Sequence, residues 1–356
     1  MSDRLYILLA ILIFGILIFT HELGHFLTAK LFGVRVNEFA LCMGPAIFKK
    51  TVGETTYSLR CIPIGGYCAM EGEDGESSDP RSFSAAAPWK RAIILVAGAA
   101  MNFLTGLLVL VILYCTVSGF STAKIVDFYP DCPLQSETGL QVGDELYRID
   151  GRRVYIYSDV GMLLSRNTTG VYDLTVKRDG MLVELKDFPM EKQAYEDNGQ
   201  TVYLYGLYFG AEEKTAGAVL KNAWFTAIDF SRMVWMSLSD LFKGLVSVSD
   251  MSGPVGIVSV IAETGKTSAT SAAAALNIAY LAAFIAVNLA VMNLLPVPAL
   301  DGGRVFFLLI TWVLEKLLRR KINPKYEAYI HAAGMILLLA FIGYVSLRDV
   351  WKIIVK

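Results

Sequence analysis

The chain has 356 residues, of which 54% are hydrophobic and 18% charged, and its mean hydropathy is +0.49. Soluble domains carry about 25% charged residues, so this balance excludes a disordered chain, a disulfide mini-scaffold and a fibrous repeat, and points to a multi-pass membrane protein with a soluble insert. Lys and Arg total 32 against 33 Asp and Glu, which leaves no basic surplus for holding nucleic acid.

Leu5 to Phe32 is the first expected span. Its apolar run is followed by His21-Glu22-Leu23-Gly24-His25 where a signal peptide would show a small-residue cleavage site. The length exceeds the about 20 residues that cross a bilayer, so it reads as a retained transmembrane helix. In the loop behind it, Ala46–Thr51 and Thr55–Ile62 flank Val52-Gly53-Glu54 and predict a hairpin. That loop also holds Cys42, Cys61 and Cys68; with Cys115 and Cys132 they form no Cys-x-x-Cys pair. Reduced or buried thiols are therefore favoured over a thiol zinc site.

Ala92 to Val117 is the second span. Thr122 to Met190 changes character. Ala123–Val126 alternates like a strand, and Tyr172–Gly180 reads as a strand and a turn. Asn198 to Phe209 suggests a further short β piece. Ala218 to Val248 reads as an interfacial amphipathic helix, interrupted by Ser252-Gly253-Pro254-Val255-Gly256. Ala272–Leu295 and Val305–Leu318 are both apolar, separated by Pro296-Val297-Pro298 and Asp301-Gly302-Gly303-Arg304. This predicts one discontinuous span, because irregular backbone at membrane depth survives where protein or a wet cavity covers it. Ile330 to Val345 is the last of four spans.

Basic residues set the expected orientation. Lys30, Arg35, Lys49, Lys50, Arg60, Arg81, Lys90 and Arg91 lie between the first two spans, and Lys316, Arg319, Arg320, Lys321 and Lys325 lie before the last. Both loops are expected in the cytoplasm, with the termini and the soluble insert outside. The fold class is thus a polytopic α-helical membrane protein with an inserted small β-rich domain and a cytoplasmic β-hairpin loop. Its expected parts are residues 1–118, the first half of the membrane core; 119–215, the β-rich domain; 216–270, an interfacial helix region; and 271–356, the second half of the core.

The chemistry starts from His21 and His25. At i and i+4 on a helix they share a face, so both imidazoles can reach one zinc, and Glu22 beside them can act on a water held there. They are two of only three histidines, and they sit on a helix otherwise built for lipid, where ionisable groups mark function. A catalytic zinc needs a third protein ligand and an open position. Asp301, in the Pro/Gly break, is the favoured candidate; His331, the remaining histidine, is its rival.

The string Gly139-Leu140-x-x-Gly143-Asp144-x-Leu146-x-x-Ile149-Asp150-Gly151 resembles the PDZ domain family, whose members add a peptide as an extra strand. Together with His-Glu-Leu-Gly-His in the first helix and Asn293-Leu-Leu-Pro-Val-Pro-Ala-Leu-Asp301-Gly-Gly near the end, it resembles the site-2 protease family of intramembrane zinc metalloproteases, within it the bacterial regulator-of-sigma-E (RseP-type) group with one PDZ-like domain. Pro63-Ile64-Gly65-Gly66-Tyr67 and Ser252–Gly256 agree with that resemblance. It implies zinc held by His21, His25 and Asp301, Glu22 as catalytic acid/base, and Asn293 on the substrate backbone. The second helix reads Gly98-Ala99-Ala100-Met101-Asn102, lacking the proline often found in relatives, and makes Asn102 a further substrate-binding candidate. The expected substrates are single-span membrane proteins such as anti-sigma factors or signal peptide remnants, in the bacterial inner membrane. The hairpin edge would pair with the unwound substrate. The competing readings are a non-proteolytic adaptor acting through the PDZ-like module and a metal transporter; the single polar cluster speaks against transport.

Overall fold

The computed structural model describes residues 3–73, 75, 77–197, 200–247, 253–319 and 324–355. Asn198, Val248, Ser252, Arg320 and Lys321, which enter the expectations above, lie outside them. In chain order the elements are α1 (Asp3–Leu31), β1 (Val36–Val52), β2 (Thr55–Met70), α2 (Pro88–Tyr114), β3 (Gly119–Phe128), β4 (Glu145–Ile149), β5 (Arg152–Arg153), α3 (Tyr157–Leu164), β6 (Val171–Arg178), β7 (Met181–Pro189), β8 (Gln193–Asp197), β9 (Gln200–Leu204), β10 (Leu207–Glu213), α4 (Ala216–Phe242), α5 (Pro254–Thr267), α6 (Ser271–Asn293), α7 (Asp301–Leu318) and α8 (Pro324–Val355). They divide into two compact units, residues 1–110 with 230–356, and residues 111–229.

Among the described residues four helices are long and apolar enough to cross a membrane: Leu5–Leu31, Pro88–Tyr114, Ser271–Asn293 and Glu327–Lys352. Their surfaces expose large apolar side chains, Leu8, Leu12, Ile336 and Leu337 among them, as lipid-facing helices do. The expected discontinuous span is two helices, and of the two only α6 is both long and apolar enough to cross a membrane; the 18 residues of α7 carry Asp301, Arg304, Glu315 and Lys316. α6 starts at Thr270, whose hydroxyl accepts the Ala273 N–H. α1 stops because Gly33 takes φ +76. Its N–H bonds to Lys30 O and the Val34 N–H to Ala29 O, a paired closure that satisfies the last carbonyls of the helix. α2 opens on Pro88, whose missing N–H costs nothing at a first helical position.

The first unit is held by two apolar clusters. Ala29, Val34, Val36, Phe39, Cys68, Met70, Phe83, Ile94 and Leu95 tie the end of α1 to the two strands and the start of α2. Tyr6, Ala10 and Leu17 of α1 pack on Ile261 of α5 and Ile278, Ile285 and Ala286 of α6. The Tyr6 hydroxyl donates to Gly265 O at 2.9 Å, and a Cβ at Gly265 would fall 2.2 Å from the Tyr6 ring. The helix α5 is a separate packed element within the expected interfacial region 216–270; its 14 residues are too few to read as a span.

β1 and β2 pair antiparallel through a turn at Gly53-Glu54, with Val52 opposite Thr55. Both strands bend. Glu38–Leu41 face Gly66–Ala69 on one side and Thr56–Leu59 on the other, so the two long strands make more than a plain hairpin and Gly66–Met70 forms a border.

The second unit contains a six-stranded sheet in the order β10-β3-β4-β6-β7, with β5 on β4, and a separate β8–β9 pair. Its core gathers Ile125, Leu146 and Ile149 of β3 and β4, the alternate residues Tyr172, Leu174 and Val176 of β6, Leu163 of α3 and Leu140 of the β3–β4 connection. The Asp144 carboxylate is fully buried and bound by Arg178 through Nε and Nη2 at 2.8 Å each.

Candidate metal centre

His21 and His25 lie one turn apart on α1, their rings 4.8 Å between centroids and 85° apart in plane. Asp301, the first residue of α7, turns its Oδ2 to both: 3.1 Å from His21 Nε2 and 3.4 Å from His25 Nε2. The two Nε2 atoms are 3.3 Å apart. Among the described residues these three are the one group of His, Cys, Asp or Glu donors that converges. The three cysteines of the β1–β2 segment form no such group, and neither does His331.

The triangle can be tested against zinc. Ligands about 2.0–2.1 Å from a tetrahedral ion are separated by about 3.3–3.4 Å, and the three observed edges are 3.1, 3.3 and 3.4 Å. Asp301 Oδ2 is shielded from solvent and takes no hydrogen bond of ordinary geometry, a costly state for a charged oxygen unless a cation is its partner. The donor set of two imidazoles and one carboxylate suits zinc and leaves one position open.

The surroundings orient each donor. His25 is 6% exposed, and its Nδ1 lies 2.8 Å from the Ile94 carbonyl of α2. Nδ1 must therefore carry the proton, leaving the Nε2 lone pair toward Asp301. His21 Nδ1 is flanked by Asn102 Nδ2 at 3.5 Å and Asn293 Nδ2 at 3.4 Å. The Thr20 hydroxyl contacts Asn102 Oδ1 at 3.2 Å and Leu17 O at 3.1 Å. Both asparagines thus stand beside the outer nitrogen of one histidine. Glu22, next to His21, feels the charges of His25, His21 and Asp301 and has the Cys68 backbone N–H in reach. A Cβ at Gly66 would lie 3.4 Å from Glu22 Cγ, so the Gly66–Met70 border runs along this carboxylate.

Small residues make the close approach possible. A Cβ at Gly24 would meet Ala97 O at 2.3 Å, and one at Gly98 would fall 2.3 Å from His25 Nε2 and 2.8 Å from His21 Cε1. Gly98 is the floor beneath the two imidazoles. In the sequence it stands only as part of the string Gly98–Asn102; a glycine inside an apolar helix, four residues before a buried Asn102, is the signal that singles it out.

Asp301 is delivered by a turn. Leu300 N–H bonds to Val297 O, with Pro298 and Ala299 between. Ala299 has φ +80, the second central position of a type II turn, which favours glycine; an alanine there costs on the order of 1–3 kcal/mol. Gly302 and Gly303 let the start of α7 press on this turn, since Cβ atoms there would meet Leu294 C at 2.2 Å and Val297 O at 2.1 Å. Arg304, one turn on, forms an ion pair with Glu73 behind β2.

Against known proteins, the profile of peptidase family M50 matches residues 9–341. A candidate zinc metalloprotease of Clostridium perfringens is 34% identical, with 97% of this chain and 98% of that protein covered. One of Fusobacterium nucleatum is 35% identical over the same shares. The regulator of sigma-W protease RasP of Bacillus subtilis is 26% identical, covering 96% of this chain and 97% of its own.

Proposed function

As the chain belongs to peptidase family M50, the site-2 zinc metalloproteases, we propose that His21, His25 and Asp301 hold the zinc of an intramembrane endopeptidase and that Glu22 moves its protons. The observation that carries the reading is the triangle of donor atoms with edges of 3.1, 3.3 and 3.4 Å. Bound zinc supplies a charge that polarises the scissile carbonyl and makes water a nucleophile near neutral pH.

The residues of the chain do the rest. Glu22 takes the proton of the attacking water and passes it to the leaving amine. His21 presents Nε2 only if Nδ1 is protonated and met by an acceptor. Asn102 turned about its Cβ–Cγ bond supplies that acceptor with its oxygen, its NH2 then meeting the Thr20 hydroxyl, whose proton goes to Leu17 O. Asn293, at the end of α6, offers its amide to the substrate backbone. A substrate helix must unwind before its carbonyls are accessible, and the Gly66–Met70 border beside Glu22 offers an edge on which the unwound segment adds as a strand. Strand addition is thus proposed on the border beside Glu22 rather than on the edge of the Ala46–Thr51 and Thr55–Ile62 hairpin.

The α6–α7 connection, residues 294–300, supplies the irregular backbone that the discontinuous span requires, covered by α8 at Gly334, where a Cβ would meet Pro298 Cβ at 2.4 Å. The loops rich in Lys and Arg put the centre near the cytoplasmic side, with the termini and residues 119–215 outside. That domain is a PDZ-like peptide binder: β10 borders its sheet, and Phe209 on it meets Tyr157 of α3 at 5.1 Å. Substrates are single-span membrane proteins, with anti-sigma factors favoured by the sigma-W regulator among the relatives.

Cleavage of a single-span substrate in detergent is the test. Glu22→Gln should abolish cleavage with zinc still bound, Asp301→Ala should lose zinc, and phenanthroline should block the parent. Full cleavage by the Glu22→Gln variant would remove the proton-transfer role and favour the adaptor alternative, which needs neither residue.

A further inference from the structure

We propose that His331 is a positioning residue for Asp301: its imidazole holds the Pro298-Ala299 turn that delivers the carboxylate to the metal. This rests on the reading of Asp301 as a zinc ligand.

The turn needs an outside partner. Its own hydrogen bond runs from Leu300 N–H to Val297 O, and in a type II turn the N–H of the second central residue points away from that bond. That residue is Ala299, held at φ +80 without the freedom of glycine. Its N–H donates to His331 Nδ1 at 3.2 Å. Nδ1 is therefore the acceptor nitrogen and Nε2 carries the proton, with the Glu327 carboxylate 3.9 Å away one helical turn back, a charge neighbour rather than a hydrogen-bond partner. The ring also packs edge-on against Phe307 of α7, 5.3 Å between centroids. Three residues along the same face of α8, Gly334 presses on the other half of the turn: a Cβ there would lie 2.4 Å from Pro298 Cβ and 3.1 Å from Pro298 C. One face of α8 thus grips both central residues of the turn, and Asp301 follows two residues later. Metal-bound geometry tolerates about 0.2 Å in ligand distance, so a turn that relaxes moves Asp301 out of range although no ligand has changed. The rival for the third ligand acts through the ligand.

The experiment is metal binding by the full chain in detergent, stripped by chelator and titrated with Co2+, whose visible spectrum reports tetrahedral ligation, with Zn2+ competition. His331→Phe keeps the ring on Phe307 and removes the acceptor; its dissociation constant should rise about 10- to 100-fold, the range for outer partners of metal ligands. His331→Asn restores an acceptor oxygen near the place of Nδ1 and should stay within about threefold of the parent. Gly334→Ala leaves His331 intact, displaces Pro298 and should weaken binding about tenfold or more. Parental affinity and spectrum in either His331→Phe or Gly334→Ala overturns the proposal, as does a His331→Asn variant as weak as His331→Phe. Asp301→Ala separates the two levels: tight binding in that variant sinks the ligand assignment itself, whereas its loss of metal beside an unaffected His331→Phe sinks only the role of His331.

Discussion

Replacing Gly98 by alanine isolates geometry from chemistry, because no ligand is touched. The added Cβ would stand 2.3 Å from His25 Nε2, 2.6 Å from its Cε1 and 2.8 Å from His21 Cε1. Uncharged contacts settle at about 3.5 Å, so helix or imidazole must shift by about 1 Å, several times the about 0.2 Å that a metal site tolerates. Helix propensity points the opposite way: alanine favours the α2 backbone by about 0.5–1 kcal/mol over glycine. The variant should therefore fold and lose zinc, with affinity down at least about 100-fold, equivalent to about 2.7 kcal/mol. The assay is zinc content after purification in detergent, followed by Co2+ titration. Gly15→Ala is the control, since nothing lies within 4 Å of a Cβ there; it should keep full zinc. A Gly98→Ala protein with one tightly held zinc would refute the argument that this glycine makes room for the ligands.

Arg178→Met leaves Asp144 buried without its bidentate partner and should cost about 3–5 kcal/mol; hydrogen exchange in the full chain should show β4 and β6 losing protection, and unchanged protection would count against it. Asp349 on α8 caps α5, its Oδ2 accepting Gly253 N–H at 2.7 Å and Gly256 N–H at 3.0 Å. Asp349→Ala should lose about 1–2 kcal/mol in denaturant titrations, with Asp349→Asn losing less. Equal losses in both would remove the cap from the account. Hydrogen bonds from Lys30 and then Arg81 hold the Glu54 carboxyl below the usual carboxylate range. A lowered folded pKa means that its stabilisation is present above the free carboxyl value of about 4.3 and fades as pH falls through the lowered one. Glu54→Gln should therefore flatten the acid limb of the unfolding-midpoint profile below about pH 5, and a profile parallel to the parent's would refute the pairing.

Much of this was legible in the residues because it rests on local periodicity. His21 and His25 at i and i+4, the long apolar runs of α1, α2, α6 and α8, and the strand and turn at Tyr172–Gly180 are short-range patterns, and an apolar run or a histidine spacing has few other structural meanings. The helix α5 was not separable from its neighbours, since its 14 residues show no span-length run and its burial comes from α1 and α6. The strand of the β1–β2 segment that meets Glu22 was equally hidden. Both halves of β2 pair with β1, and no alternation of polar and apolar residues says which half faces the histidines.

The sequence by itself determined the ion chemistry and the solvent. Two imidazoles one helical turn apart, a neighbouring carboxylate and a lipid-length helix are covalent facts, and their spacing follows from the helix. Between Asp301 and His331 the chain alone does not decide, and it is the tertiary structure that brings Asp301 Oδ2 to both imidazoles and leaves His331 outside their group. Both residues lie far along the chain, and a turn carries the one to α1 while the other meets that turn through the Ala299 N–H. The same is true of Gly98: its value lies in the absence of atoms where another helix brings two side chains. Space that must stay empty leaves no pattern along a chain, and appears when separate helices close around it.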